Sequence, residues 1–74
     1  MTQQEALDLI RRFLKAGDRD ELMQLVSQHL GAVDGTFFKV AEAAARQLEE
    51  EGKASVAAAL RSLSDSILRM KTLI

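Results

Sequence analysis

Residues 37–63, FFKVAEAAARQLEEEGKASVAAALRSL, decide the fold. Phe37, Ala41, Ala44 and Leu48 follow at steps of four, three and four, the spacing of one helical face. The alanines in that stripe let a neighbouring helix come close. Gly52 interrupts the run, because glycine enters the left-handed conformation cheaply and so ends helices. Beyond it Val56, Leu60, Leu63, Ile67, Met70 and Ile74 alternate steps of four and three, flanked by Ala57 and Ala59. That is a heptad seam, too short for a coiled coil but suited to a bundle helix. A third helix is thus expected from about Phe37 to Glu51, and a fourth, the longest, after a tight turn with Ser55 as its cap.

Two more helices precede these. Thr2 and Glu5 form a T-x-x-E capping box, followed by Ala6, Leu7, Ile10, Phe13 and Leu14 at helical spacing, with Gly17 as the stop. Asp18 is a natural N-cap with Glu21 as its box partner, and Asp20 and Glu21 suit the positive end of the helix dipole. Leu22, Leu25, Val26, His29 and Leu30 mark the face of this second helix, and Gly31 closes it. The stretch Gly31-Ala-Val-Asp-Gly-Thr36 is turn chemistry, in which Asp34, ahead of Thr36, caps the third helix. Short connections after Gly17 and Gly52 make chain neighbours antiparallel. The expected fold is therefore all-α: residues 1–74 as a single domain, a small antiparallel four-helix bundle of two helical hairpins. No internal repeat, linker or low-complexity tract divides it.

Composition narrows the chemistry. Ten basic and eleven acidic residues leave a formal net charge of −1, a poor match to nucleic acid or an anionic membrane. No apolar run approaches the ~20 residues of a membrane span. Cysteine is absent, so disulfides and thiolate sites are excluded, and a small unstapled domain fits the cytoplasm. The start, MTQQEALDLIRRF, lacks the pattern of a signal peptide.

No catalytic or metal-binding constellation stands out, and no cofactor is expected. His29 is the single histidine, and its place near a helix end suits a capping role, since protonated histidine favours the negative end of the dipole. Asp18-Arg19-Asp20-Glu21 superficially resembles a calcium loop but lacks the glycine and glutamate at the required places. Glu49-Glu50-Glu51 point in different directions on a helix and cannot pair as acid and base. Glu49 with Lys53, Asp8 with Arg12, Glu42 with Arg46 and Asp65 with Arg69 are expected local ion pairs. Ser62, Ser64 and Ser66 are expected to be exposed and have no histidine base at any evident spacing. A helix-turn-helix reading of the second and third helices would leave only Lys39 to meet phosphate or base edges.

The apolar surplus is more informative. Leu9, Leu14, Met23, Phe38, Val40, Leu68 and Leu73 lie beside or outside the four stripes. A contact face for another chain is therefore expected among Leu9, Leu14, Phe38, Leu68, Leu73 and Ile74, centred on the C-terminal end.

The order of segments in DRDELMQLVSQHLGAVDGTFFKVAEAAARQLEEEGKASVAAALRSL, residues 18–63, then a leucine- and isoleucine-rich end, resembles a helical segment of cyanobacterial proteins. That segment stands at the N-terminus of tetratricopeptide-repeat and caspase-like CHAT-domain proteins and also occurs as short stand-alone chains. The matching features are the break before Phe37-Phe38, the stretch Val40-Ala41 to Leu48, and the EEEG turn before Ala57-Ala58-Ala59-Leu60. The resemblance implies protein–protein interaction and carries over no catalytic residue.

The expected function is a non-enzymatic protein–protein interaction module, self-associating or binding another protein, with no nucleic acid and no membrane as partner. A structural capping segment of a larger helical-repeat protein is one alternative. A carrier of a small apolar ligand between Phe13, Phe37, Phe38 and Met70 is the other.

Overall fold

A computed structural model describes residues 1–73, the side chain of Leu73 excepted; the described residues form four α-helices and one 3₁₀ turn, with no strand. The helices are α1 (Gln3–Lys15), α2 (Arg19–His29), α3 (Gly35–Glu50) and α4 (Ala54–Leu73), with the 3₁₀ turn Leu30–Ala32 between α2 and α3. The fold is an all-α helical bundle.

The starts of α1, α2 and α3 are each set by a side chain that meets free backbone N–H groups. Thr2 Oγ1 accepts from the Glu5 N–H at 3.1 Å, and Glu5 Oε1 accepts from the Thr2 N–H at 3.0 Å, closing the expected capping box on α1. Asp18 caps α2 through the Glu21 N–H at 2.8 Å. Its expected reciprocal bond is redirected: Glu21 Oε2 accepts from the Gly17 N–H at 3.0 Å instead. Asp34 Oδ1 accepts from the Thr36 and Phe37 N–H groups at 3.0 and 3.3 Å, so α3 opens two residues before Phe37. α4 begins at Ala54, which places Ser55 inside the helix rather than at its cap.

The ends divide into two kinds. At α3 the Gly52 N–H donates to the Glu49 carbonyl at 3.0 Å and the Lys53 N–H to the Leu48 carbonyl at 2.8 Å, the Schellman pair. Gly52 has φ of 80°, the one positive φ among the described residues. Gly17 and Gly31 therefore do not end their helices by a left-handed turn. α1 stops at Ala16, where ψ swings to 133°, and the Glu21 carboxylate takes the amide that Gly17 leaves free. Gly31 lies inside the 3₁₀ turn that continues α2.

The core is wholly apolar: Ala6, Leu9, Ile10, Phe13, Val26, Val33, Phe37, Ala41, Ala45, Ala57, Leu60 and Ile67. Phe37 stands at its centre, edge-on to Phe13 with centroids 6.1 Å apart and to Phe38 at 5.5 Å. Two stripes are turned from the expected setting. On α1 the buried face is Ala6, Leu9, Ile10 and Phe13, while Leu14 is 39% exposed. On α4 Ala57 is buried and Val56 is 38% exposed, so the inner line runs Ala57, Leu60 and Ile67, with Leu63, Ser64, Met70 and Lys71 half-buried to either side. On α3 Ala45 is buried, and Ala44 and Leu48 are only half-buried.

Packing is uneven. α3 makes its longest contact with α4 and its next with α1, whereas α1 and α2 touch over a short stretch. Both ends of α1 meet the start of α3: the Met1 ammonium lies 2.6 Å from Asp34 Oδ2, and the Phe13 ring lies against Phe37. Helix α1 is roughly 20 Å long at 1.5 Å per residue, and contacts at both of its ends reach the first turn of α3. α2 is held by buried Val26 and, at its end, by Lys71 Nζ, which donates to the Leu30 carbonyl at 3.2 Å.

Candidate functional site

Of the six residues expected at a contact face, the structure brings two together. Phe38 on α3 and Leu68 on α4 line one groove, with Ala41 and Ser64 between them and Glu42, Arg61 and Asp65 on the rim. The groove encloses about 300 Å³. Phe38 is half-buried, and Leu68 is 48% exposed, the most open large apolar side chain described.

The other four fall elsewhere. Leu9 is 5% exposed and belongs to the core. At 100° per residue it shares a face with Ala6 and Phe13, so the chain itself covers it. Leu14 is exposed on α1 and does not line the groove. The side chain of Leu73 and the whole of Ile74 lie outside the described residues. Val40, counted in the surplus, is half-buried against the core, and Met23 is 37% exposed on α2.

The rim is charged and internally balanced. Arg61 reaches across from α4 to Glu49 and to Glu42, the latter at 4.0 Å. Arg46 Nε donates to Glu42 at 3.2 Å, and Arg69 pairs with Asp65 at 3.0 Å, both as the spacing predicts. Two expected pairs are exchanged: Asp8 meets Arg11 at 3.7 Å rather than Arg12, and Lys53 meets Glu51 at 3.8 Å rather than Glu49. These side chains are largely exposed, so each pair is worth no more than about 1 kcal/mol. Lys39, one residue past Phe38, has no carboxylate within ion-pair distance among the described residues.

The groove floor carries a polar atom without a partner. Ser64 Oγ is buried and makes no hydrogen bond, so Ser64 is not the exposed serine its flanking polarity predicts. A buried hydroxyl left unpaired costs about 1–3 kcal/mol. Its inward setting was readable from the steps of three and four that join Ala57, Leu60, Ser64 and Ile67.

A second polar cluster sits where α1 meets α3. The hydrogen bond to Asp34 raises the Met1 ammonium above its ordinary value, and the same bond holds the Asp34 carboxyl below the usual range. The Thr2 backbone N–H does the same for Glu5. These groups cap helices and tie the chain start to α3. His29 borders the adjacent cleft with Glu5, Asp8 and Arg12 but makes no cap hydrogen bond. Among the described residues no three histidine, aspartate or glutamate side chains are grouped to hold a metal ion, and no helix is long and apolar enough to cross a membrane.

The four residues suggested for an apolar ligand separate. Phe13 and Phe37 fill the core, Phe38 opens on the α3/α4 groove, and Met70 lines another groove between α2 and α4 with Leu22, Met23 and Leu63. Comparison with family models, with curated proteins and with solved structures finds no match to this chain.

Proposed function

We infer that the chain is a non-enzymatic protein–protein interaction module whose docking face is the α3/α4 groove. The observation that carries this reading is Phe38 and Leu68 set on opposite walls of one groove, over a floor of Ala41 and Ser64. Large apolar side chains facing outward beside small ones make a receptacle for a partner's apolar side chain. The rim charges neutralise one another, so specificity comes from shape and apolar burial rather than net charge.

The same reading takes α3 and α4 as an antiparallel hairpin. Arg61 near the start of α4 meets Glu49 near the end of α3, and Leu68 near the end of α4 shares a groove with Phe38 near the start of α3. A hairpin of this kind is a rigid platform, and the proposed kinship with the segment preceding tetratricopeptide arrays assigns it the same role. A cytoplasmic setting belongs to this proposal and rests on the absence of cysteine from so small a chain.

Affinity capture from the native cell, repeated with Leu68→Glu and with Leu14→Glu, tests the reading. A specific protein retained by the wild type and by Leu14→Glu but lost with Leu68→Glu, at unchanged helicity, supports it. Equal capture by all three removes the groove from the function.

A further inference from the structure

We propose that α2 is a releasable strap: it detaches from the bundle as one unit, with Lys71 as its latch, while α1, α3 and α4 stay packed. The bonds that hold the two parts are unequal. α1 is tied to α3 by the Phe13–Phe37 ring pair and by the Met1 ammonium on Asp34, and α3 is tied to α4 by Arg61 on Glu49 and Glu42. Among the described residues no ion pair reaches the segment 17–32. One side-chain hydrogen bond joins that segment to another helix, from Lys71 Nζ to the Leu30 carbonyl at 3.2 Å.

Apolar packing is as thin. Val26 is the one fully buried side chain of α2, and Leu22, Leu25 and Leu30 are half-buried. Towards α4 the seam is left unfilled: a groove of about 290 Å³ runs between Leu22, Met23 and Val26 on one side and Leu63, Ile67 and Met70 on the other. The segment also closes on itself at its start. Asp18 accepts from the Glu21 N–H and Glu21 from the Gly17 N–H, so these bonds tie it to no other helix. On the far side Val33 is buried and Asp34 is held by Met1, so release stops at Ala32 and α3 keeps its cap. A unit with few buried contacts and a single tether opens at a lower free energy than the whole domain. Once detached, its 11-residue helix is too short to persist in water. Its amides then exchange, and Ile67, fully covered in the closed state, meets solvent. This opening is separate from the α3/α4 groove and does not depend on what occupies that groove.

Native-state hydrogen exchange of the whole chain, followed by nuclear magnetic resonance at low urea concentrations, is the test. The amides of Leu22–His29 are expected to share one opening, at least about tenfold more frequent than that of the α3 amides and less dependent on urea. Lys71→Met keeps the stem and removes the donor, and is expected to raise α2 exchange about tenfold. Gly52→Ala strains a turn that stays formed in the open state. It is expected to raise α3 exchange about tenfold and to leave α2 exchange unchanged. A domain that opens only as a whole would answer Gly52→Ala equally in both helices, and that result overturns the proposal. So does α2 protection equal to that of α3 in the wild type, or α2 exchange indifferent to Lys71→Met.

Discussion

Replacing Phe37 by alanine, beside the same change at Phe38, separates what holds the bundle from what it offers to a partner. Phe37 is fully buried. It packs edge-on against both Phe13 and Phe38. Truncating a buried phenylalanine costs about 3–5 kcal/mol, and each lost aromatic edge contact adds about 0.5–1.5 kcal/mol. A chain of this length has about 4–11 kcal/mol of stability in all. Phe37→Ala therefore removes most or all of it. Phe38 is half-buried and makes one of those ring contacts, so Phe38→Ala costs about 1–2 kcal/mol. Urea denaturation followed by far-ultraviolet circular dichroism distinguishes them. At a slope near 1 kcal/mol per molar urea, Phe38→Ala shifts the midpoint by about 1–2 M, whereas Phe37→Ala leaves little or no folded baseline. Equal shifts for the two variants would refute the assignment of Phe37 to the core and Phe38 to the groove.

Gly52→Ala is expected to cost about 1–2 kcal/mol through its positive φ, while Gly35→Ala, with negative φ and open space, gains up to about 1 kcal/mol; thermal melts compare them. Ser64→Ala removes the unpaired hydroxyl and favours helix, so it is expected to be neutral or to stabilise by about 1 kcal/mol, and a clear loss in a urea titration would mean that the hydroxyl has a partner. Stability of the 74-residue chain should form a plateau in pH. Asp34 and Glu5, held below their ordinary values, contribute above the usual carboxyl range and lose that contribution as the pH falls through their folded values. The raised Met1 ammonium contributes below its ordinary value and is lost as the pH rises through its folded value. Asp34→Asn, which keeps the cap, should flatten the alkaline side of that plateau in melting temperature, and an unchanged profile would remove the Met1–Asp34 contact.

What was legible in the sequence is what is local. The caps at Thr2, Asp18 and Asp34 and the stop at Gly52 each depend on residues within about four positions, and all four stand in the structure. The seam expected on α4 holds at Leu60, Leu63, Ile67 and Met70 and fails at Val56, where Ala57 is buried instead. Hydropathy favours valine over alanine at that turn. The close approach of α3 favours the smaller side chain, and nothing within α4 announces that approach. Leu9 was lost to the core for a related reason, since the direction from which α3 covers α1 is a tertiary fact. Of the contact face, Phe38 and Leu68 were readable as surplus apolar residues, but their meeting across a groove was not. The links from Met1 to Asp34, Lys71 to Leu30 and Arg61 to Glu49 span too much chain for any spacing rule to reach.

The alanines buried where α3 meets its neighbours, Ala45 on α3 and Ala57 on α4, impose a lopsided tolerance. A methyl group is already the smallest side chain a helix can carry there without glycine's floppiness, so the seam has no bulk to give up and, with both side chains at 0% exposure, no open side to take more. A saturation library of this chain should show those two sites as its most deserted columns, with serine and glycine the main survivors, while large residues elsewhere in the core trade places with ease.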